Sequence, residues 1–211
     1  QSPPCAANVP GTGPKSLSLA GKVAVISGGA TGIGLGISQG LAEAGASVVL
    51  CSRREAICVE VAESIVKSTG AIAEGLRCDI TARNETQQMV EQVLKMQELG
   101  RIDILVNCAG IGASEKTFLK MNESDWDRIM NINLKGVFNL SQAVVPIMVE
   151  QGEGGKVINV SSIMGHIAAP YMADYCSSKA ALTHLTKVLA LEWADYNIQV
   201  NAILPGYFET S

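Results

Sequence analysis

The stretch KVAVISGGATGIGLGISQGLAEAGASVVLC, from Lys22 to Cys51, decides the fold class that this chain can adopt. It begins with an apolar, β-branched run (Lys22–Ser27), passes through closely spaced glycines, and continues with apolar residues at helical spacing. A second apolar run, Ala46–Cys51, closes it. These two periodicities are typical of buried strands and amphipathic helices, so the stretch predicts a strand, a helix and a second strand.

The same alternation extends to the end of the chain. Further strand patterns cover residues 71–78, 101–107, 155–161 and 198–204. Helical patterns cover residues 55–68, 85–99, 123–150 and 173–196. Strands that alternate with helices form right-handed crossovers and a mostly parallel sheet covered on both faces. We therefore expect a Rossmann-type α/β fold with three layers (α/β/α), and a ligand site outside the carboxyl ends of its strands.

The length and composition favour one domain. The chain has 211 residues, of which 47% are hydrophobic and 17% are charged, so it can bury a substantial core. We expect residues 19–211 to form the domain and the Pro- and Gly-rich residues 1–18 to be a flexible arm. The net charge of −4, without a basic block, argues against nucleic acid as a partner. We find no run of about 18 apolar residues and so expect no membrane span.

The cysteines indicate a reducing compartment. There are six cysteines, which show no C-x-x-C spacing and fall mostly in apolar segments. We therefore expect reduced thiols, no metal site and a cytoplasmic location, with an organelle left open as the alternative.

The glycines after the first predicted strand are candidates for binding a phosphate. Gly28, Gly32 and Gly34 stand between a predicted strand and a predicted helix. Glycines permit a tight turn and close backbone approach, and the following helix N-terminus attracts a pyrophosphate. The spacing G-x-x-x-G-x-G also suits a purely structural turn. The flanking strand and helix favour a dinucleotide-binding loop.

The end of the second predicted strand indicates which dinucleotide would bind. An acidic residue there would bind a free ribose 2′-hydroxyl, whereas arginine would pair with a 2′-phosphate. The chain has Ser52 at this point, followed by Arg53 and Arg54, so NADP(H) is favoured over NAD(H). Alternatively, the arginines only mark the start of a helix. Asp79, just after the third strand, is placed to reach the adenine edge.

Tyr175 and Lys179 form a candidate catalytic pair. They are four residues apart in a predicted helix, so their side chains lie on one face and within reach of each other. This spacing is frequent by chance, and an ordinary solvated helix face is the alternative.

Taken together, the motifs resemble one known family. They are SGGATGIG (Ser27–Gly34), NCAG (Asn107–Gly110), NLKG (Asn133–Gly136), SSIMG (Ser161–Gly165), YCSSK (Tyr175–Lys179) and PG (Pro205–Gly206). In this order they resemble the short-chain dehydrogenase/reductase superfamily in its single-domain, NADP(H)-preferring form. The resemblance covers the chain from about Leu19 to its last residue.

The resemblance implies roles for individual residues. The catalytic residues would be Asn133, Ser162, Tyr175 and Lys179. Ser161 is a rival for Ser162, but the S-x-x-G pattern ending at Gly165 selects the second serine. The cofactor-binding residues would be Gly28, Thr31, Gly32, Ile33, Gly34, Ser52, Arg53, Arg54, Asp79, Asn107, Ala109, Gly110, Tyr175, Lys179, Pro205 and Gly206. Cys108 replaces a second asparagine of the family motif.

The implied activity is that of an NADP(H)-dependent carbonyl reductase or alcohol dehydrogenase for a small keto or hydroxy compound. Tyr175 would move the proton, Lys179 would favour the phenolate, and Ser162 would orient the substrate oxygen. Asn133 would hold a water in a proton relay. Candidate substrates are 3-oxoacyl thioesters, keto sugars, and xenobiotic or steroid ketones. A non-catalytic dinucleotide-binding sensor or scaffold, or an inactive truncated form, is the alternative.

The end of the chain departs from the family pattern. The sequence stops at PGYFETS, whereas the family continues through a substrate loop, another helix and a seventh strand. We therefore expect a domain that is incomplete at its C-terminus. The apolar helices over 123–150 and 173–196 predict a homodimer or homotetramer, in which these helices would pair by resemblance to the family.

Overall fold

A six-stranded parallel sheet forms the centre of the computed structural model, which describes residues 18–208, and its strand order is β3-β2-β1-β4-β5-β6. The strands are β1 Val23–Ser27, β2 Ser47–Ser52, β3 Ala73–Arg77, β4 Ile104–Asn107, β5 Gly155–Val160 and β6 Ile198–Ile203. The α-helices are α1 Gly32–Glu43, α2 Glu55–Thr69, α3 Arg83–Lys95, α4 Glu123–Met130, α5 Gly136–Gln151 and α6 Ala173–Glu192. The predicted Rossmann-type alternation of strands and helices is therefore confirmed.

Two hydrophobic clusters, one on each face of the sheet, form the core. Along β1, Val23 and Val25 belong to one cluster, whereas Ala24 and Ile26 belong to the other. The first cluster packs against α3, α5 and α6, and the second packs against α1 and α2. Each buried valine or isoleucine contributes roughly 1.5–3 kcal/mol to stability. Burial on both faces explains why the strands are continuous apolar runs without polar alternation.

The fourth strand begins at Ile104 rather than at Arg101, and the residues just before it form ion pairs. The carboxylate of Asp103 accepts a hydrogen bond from the backbone N–H of Val23 (2.9 Å). It also pairs with Arg101 at 2.6 Å and with Lys22 at 3.0 Å. These contacts hold together the N-terminal ends of the two central strands, β1 and β4, at the opposite end of the strands from the candidate site.

The helix predicted over 123–150 contains a π-helical turn. It starts with a capping box in which the Asn122 side chain accepts a hydrogen bond from the backbone N–H of Asp125. A π segment, Asn131–Lys135, joins α4 to α5. A π turn inserts an extra residue and rotates the side chains that follow. Asn133 lies in this segment and is buried.

The helical stretch Glu123–Gln151 is long and apolar enough to cross a membrane by length and composition, with a mean hydropathy of 1.3. Half of its apolar window is buried inside the protein, and α5 packs against α3 and β4. This burial accounts for the hydropathy, because core helices of globular domains are also apolar on most sides.

The arm predicted for residues 1–18 lies outside the described residues, apart from Ser18. Its flexibility and the domain boundary at residue 19 stay predictions.

Candidate active site

A cleft runs along the carboxyl ends of the strands and has two parts. One part, a cavity of about 590 Å³, lies between the loops after β1 and β4, the end of β5, α6 and the segment after β6. The other part, of about 370 Å³, lies against the ends of β2 and β3. The two parts share Gly28, Thr31, Ala109, Gly110 and Ile111. The strand order reverses at β1, so the cleft lies where a ligand is expected.

The loop between β1 and α1 permits close backbone approach. Gly28 has a φ of +68°, and a Cβ added there would lie 2.9 Å from Cα of Ala109. A Cβ added at Gly34 would collide with the carbonyl oxygen of Gly28. Thr31 precedes α1 without a side-chain cap, and the first N–H groups of an α-helix lack partners within the helix. The loop therefore fits a pyrophosphate held by backbone N–H groups.

Two arginines lie at the far end of the cleft, directly after β2. The Ser52 hydroxyl accepts a hydrogen bond from the backbone N–H of Arg54 (3.1 Å), which fixes this turn. Arg53 and Arg54 are exposed and line the cleft. Within residues 18–208, neither arginine forms a salt bridge. Their guanidinium groups can therefore pair with a phosphate on a bound nucleotide.

Asp79 lines the same part of the cleft as an ionised carboxylate. Burial raises its pKa, but the hydrogen bonds from the N–H and hydroxyl of Thr81 oppose this. Arg53 and Arg77 also lower it, and the net pKa of Asp79 lies below its usual range. A carboxylate here can accept hydrogen bonds from an adenine or a ribose.

Helix α6 brings Tyr175 and Lys179 to one face, as their spacing predicts. The Nζ atom of Lys179 lies 5.8 Å from the centroid of the Tyr175 ring, and both residues line the larger cavity. Lys179 is only 5% exposed, and its Nζ donates a hydrogen bond to the carbonyl oxygen of Val160 (2.8 Å). The lysine is therefore anchored to the end of β5 beside the phenol.

The pKa of Lys179 is unusually low. Burial lowers it from 10.5 to about 8, and the negative charge that Cys108 carries when it ionises opposes this shift. The pKa of Cys108 itself is raised by burial, so this thiol is neutral near pH 7. A lysine with a pKa of about 8 can give up and regain a proton near neutral pH.

The structure separates the roles of the two adjacent serines after β5. The Ser161 hydroxyl donates a hydrogen bond to the carbonyl oxygen of Lys179 (3.0 Å) and contacts the Thr183 hydroxyl (2.7 Å). Both of these contacts of the Ser161 hydroxyl are therefore to residues of α6. Both serines line the cavity, but the Ser162 hydroxyl only accepts a hydrogen bond, from the backbone N–H of Met164 (3.2 Å). Its proton is then available for a substrate oxygen, which favours Ser162 over Ser161.

Asn133 holds the loop after β4 and does not line either part of the cleft. Its side chain donates to the carbonyl oxygen of Ile111 (3.0 Å) and accepts from the N–H of Ile111 (2.9 Å). It also donates to the Ser178 hydroxyl of α6 (3.2 Å). These bonds give Asn133 a positioning role. The water relay expected of this residue stays a prediction.

Asn107 lies inside the sheet, away from the cleft. It is 2% exposed, and its Nδ2 donates to Oδ1 of Asn159 (2.8 Å) and to the Ser141 hydroxyl (3.3 Å). Asn159 in turn donates to the Thr186 hydroxyl of α6 (2.9 Å). This chain of hydrogen bonds couples β4 and β5 to α6, the helix that carries Tyr175.

Most of the predicted site residues meet in the cleft. Those in the larger cavity are Gly28, Thr31, Ile33, Gly34, Ala109, Gly110, Ser162, Tyr175, Lys179, Pro205 and Gly206. Those at its far end include Ser52, Arg53, Arg54 and Asp79. Gly32, Asn107 and Asn133 line neither part. Sequence reasoning missed Ile111, which lines both parts, because no local signal marks an isoleucine whose backbone is held by a distant asparagine.

Comparisons with known proteins agree with this geometry. Residues 22–211 match the family model described as short chain dehydrogenase. A 3-oxoacyl-[acyl-carrier-protein] reductase of Thermotoga maritima is 41% identical over 201 residues, which cover 92% of this chain and 77% of that protein. An NAD-dependent glycerol dehydrogenase of Listeria innocua is 40% identical over 191 residues, covering 90% of this chain and 72% of that protein.

A solved structure shows the same fold with a nucleotide in place. The gluconate 5-dehydrogenase from Burkholderia cenocepacia, in complex with NADP and tartrate, superposes with a TM-score of 0.86. It is 37% identical and covers 92% of this chain and 74% of that one. This chain thus spans about three quarters of the length of the relatives it matches.

Proposed function

Because the chain belongs to the short-chain dehydrogenase family, we propose that it transfers hydride between NADP(H) and a small keto or hydroxy compound. The observation that carries this proposal is the convergence of Tyr175, Lys179 and Ser162 in one cavity with the glycine loop. A module that only binds a nucleotide has no need of a buried lysine beside a phenol. The proposal covers the reaction type and the cofactor, and leaves the substrate to experiment.

The two parts of the cleft would bind different parts of the cofactor. The glycine loop would bind the pyrophosphate through backbone N–H groups, and Arg53 and Arg54 would pair with a 2′-phosphate. Asp79 would accept hydrogen bonds from the adenosine. A bound nicotinamide supplies the hydride for ketone reduction and accepts it in the reverse reaction. The chain's own side chains would bind the substrate oxygen and transfer the proton.

Three side chains would handle the substrate oxygen. Tyr175 would donate its phenolic proton to this oxygen during reduction, as a general acid. Ser162 would donate a second hydrogen bond that orients the carbonyl and stabilises the charge that develops on it. The Lys179 ammonium, 5.8 Å from the ring centroid, would stabilise the phenolate that remains on Tyr175. Its pKa of about 8 would let it pass on a proton that restores the phenol.

The relatives do not agree on a substrate. Their names specify a 3-oxoacyl-[acyl-carrier-protein], glycerol and gluconate. We therefore propose a small keto or hydroxy compound as the substrate class, and a panel of 3-oxoacyl thioesters, keto sugars and apolar ketones as the means to identify it.

The proposed reaction is tested by replacing Tyr175 with phenylalanine. We expect Tyr175→Phe to lower kcat for ketone reduction by roughly 100-fold or more, because general acid catalysis contributes about 10²–10⁴. The measurement is the loss of NADPH absorbance with the substrate panel. Tyr196→Phe is the matched control, because Tyr196 is exposed on the short helix Ala194–Tyr196 and lies outside the cleft.

The same assay distinguishes the alternatives. If Tyr175→Phe reduces ketones as fast as the parent, the proposed mechanism is wrong. If the parent binds NADPH but reduces no ketone, a non-catalytic sensor or scaffold is favoured. Replacing NADPH with NADH tests the cofactor preference, since the arginines predict a higher kcat/KM with NADPH. Equal values for the two cofactors would contradict the assignment of Arg53 and Arg54.

A further inference from the structure

We propose that Asp174 is a positioning residue for Tyr175. Its carboxylate fastens the loop after β4, residues 108–117, to the first turn of α6. This inference rests on the proposed function, because it concerns the placement of the phenol that would move the proton. No motif in the sequence marks Asp174, which directly precedes the tyrosine.

The carboxylate of Asp174 is fully buried and binds two backbone N–H groups. The residue is 0% exposed. Its Oδ1 accepts from the N–H of Tyr175 (2.7 Å), and its Oδ2 accepts from the N–H of Ser114 (3.1 Å). Within residues 18–208 it forms no salt bridge. Burying a carboxylate is costly, so these two bonds and the helix N-terminus must compensate for the lost water.

A carboxylate that only stabilised the helix start would not need the second bond. Acidic residues in a first helical turn usually act from the surface, through the helix dipole and their own helix's N–H groups. Ser114 is 60 residues away in sequence and belongs to a different segment. The hydroxyl of Ser114 is buried without a partner among the described residues, so it is the backbone of Ser114 that the structure uses.

The loop after β4 has a second attachment besides the bond between Asp174 and Ser114. Asn133 already holds both backbone groups of Ile111 and binds the Ser178 hydroxyl. The Ser178 hydroxyl donates to the carbonyl oxygen of Tyr175 (2.7 Å). The loop after β4 is thus fixed at two points, to residues on either side of Tyr175 along α6.

The tethered loop forms a wall of the cavity that contains the phenol. Its residues Gly110, Ile111 and Gly112 line that cavity together with Tyr175. If the tether at Ser114 is lost, the wall and the first turn of α6 can move relative to each other. A displacement of about 1 Å in a catalytic arrangement can lower the rate by about 100-fold.

The test replaces Asp174 with asparagine, which has the same shape but offers an NH₂ group in place of one accepting oxygen. We expect Asp174→Asn to lower kcat per folded molecule by about 10- to 100-fold. KM for NADPH should stay within about twofold, because Asp174 itself lines neither part of the cleft. Hydrogen exchange should become faster at the amides of residues 110–115. Ser114→Ala is the matched control, since it keeps the backbone N–H and removes only the unpartnered hydroxyl.

A second variant covers the case in which Asp174→Asn does not fold. Asp174→Ser keeps an acceptor that suits the start of a helix but is too short to reach Ser114, so it should show the same loss of kcat and the same faster exchange. If the folded variant has the same kcat and the same hydrogen-exchange rates as the parent, the proposal is overturned. A lower unfolding temperature with unchanged kcat per folded molecule would also overturn it, because a role in helix stability alone gives that result.

Failure of the proposed function is distinguishable from failure of this inference. If the parent protein reduces no ketone, the exchange experiment still decides whether Asp174 tethers the loop. Faster exchange at residues 110–115 in Asp174→Asn, and not in Ser114→Ala, would support the tether. Unchanged exchange in both would overturn it.

Discussion

Lys179 illustrates how burial tunes a single side chain. Its Nζ lies next to Gly110 in the loop after β4, and among the described residues only the carbonyl oxygen of Val160 accepts a hydrogen bond from it. One hydrogen bond replaces the water that an ammonium would otherwise bind. The charged form is therefore disfavoured, and the pKa falls to about 8.

This low pKa predicts how Lys179 affects stability with pH. In the unfolded chain its pKa is near 10.5, so between about 8 and 10.5 the unfolded state binds more protons than the folded state. The penalty of burying the ammonium is thus fully present below pH 8 and is relieved as pH rises to 10.5. Its size is on the order of 3 kcal/mol.

The measurement is the free energy of unfolding by urea at several pH values from 7 to 10, without cofactor. We expect Lys179→Met to have a larger free energy of unfolding than the parent at neutral pH. This difference should become smaller as the pH rises, because the parent loses the penalty of the buried ammonium. Lys156→Met is the control, because Lys156 is exposed on β5. If the free energies of unfolding of Lys179→Met and the parent differ by the same amount at every pH, the low pKa of Lys179 is contradicted.

At the scale of elements, the glycine loop and α1 act as one unit. Gly34 and Gly36 both lie in α1, two residues apart, and their surroundings differ completely. A Cβ at Gly34 would collide with the carbonyl of Gly28, whereas a Cβ at Gly36 would meet nothing within 4 Å. The helix can therefore pack against the loop only if position 34 has no side chain.

These two glycines make a matched pair of mutations. We expect Gly34→Ala to reduce the free energy of unfolding by about 1–3 kcal/mol and to weaken NADPH binding, because the loop must shift. Gly36→Ala should bind NADPH like the parent and be more stable by about 0.5–1 kcal/mol, because alanine is favoured in a helix. Urea unfolding and NADPH fluorescence titration would measure both effects. Equal NADPH affinities for the two variants would refute the close packing of Gly34.

The π segment shows what a helical pattern can and cannot reveal. The apolar spacing predicts helix from residue 123 to 150, and the structure has helix throughout this range. It does not reveal that residues 131–135 are π-helical. The π turn brings Asn133 to face Ile111, and the benefit comes from bonds to a different segment. The π segment is stabilised by its bonds to the loop after β4. The spacing of apolar residues within the helix therefore does not predict it.

At the scale of the whole molecule, an apolar groove lies on the side of the sheet covered by α5 and α6. It runs between the π segment, α5 and α6, and has a volume of about 790 Å³. Its lining includes Leu134, Phe138, Ala181 and Leu185. Phe138 is 45% exposed, and Leu191 further along α6 is 81% exposed. Exposed apolar surface of this kind favours the homodimer or homotetramer that we propose.

This interface is tested by placing a charge in the groove. We expect the parent to sediment as a dimer or tetramer at micromolar concentration, and Phe138→Arg to shift it toward the 22.1 kDa monomer. Val66→Arg is the control, because Val66 is similarly exposed, at 43%, but lies on α2 across the sheet. Light scattering coupled to gel filtration gives the masses. A parent that is monomeric, or a Phe138→Arg variant that stays oligomeric, would contradict the proposed interface.

The sequence by itself determined the order of strands and helices and the position of the glycine loop. It also determined the pairing of Tyr175 with Lys179, because four residues along a helix bring two side chains together whatever surrounds it. All of these depend on residues close together in the chain, where periodicity and backbone freedom act directly. Sequence patterns are therefore sufficient for them.

Only the tertiary structure decided which groups meet across the sheet. It bound the hydroxyl of Ser161 to the carbonyl oxygen of Lys179 and to the Thr183 hydroxyl, 18 and 22 residues away in sequence. It also joined Asp174 to Ser114, 60 residues apart. These contacts arise from the packing of α6 against β5 and the loop after β4. Local sequence carries no signal for them, because the energy of each bond depends on a partner that only the complete fold brings near.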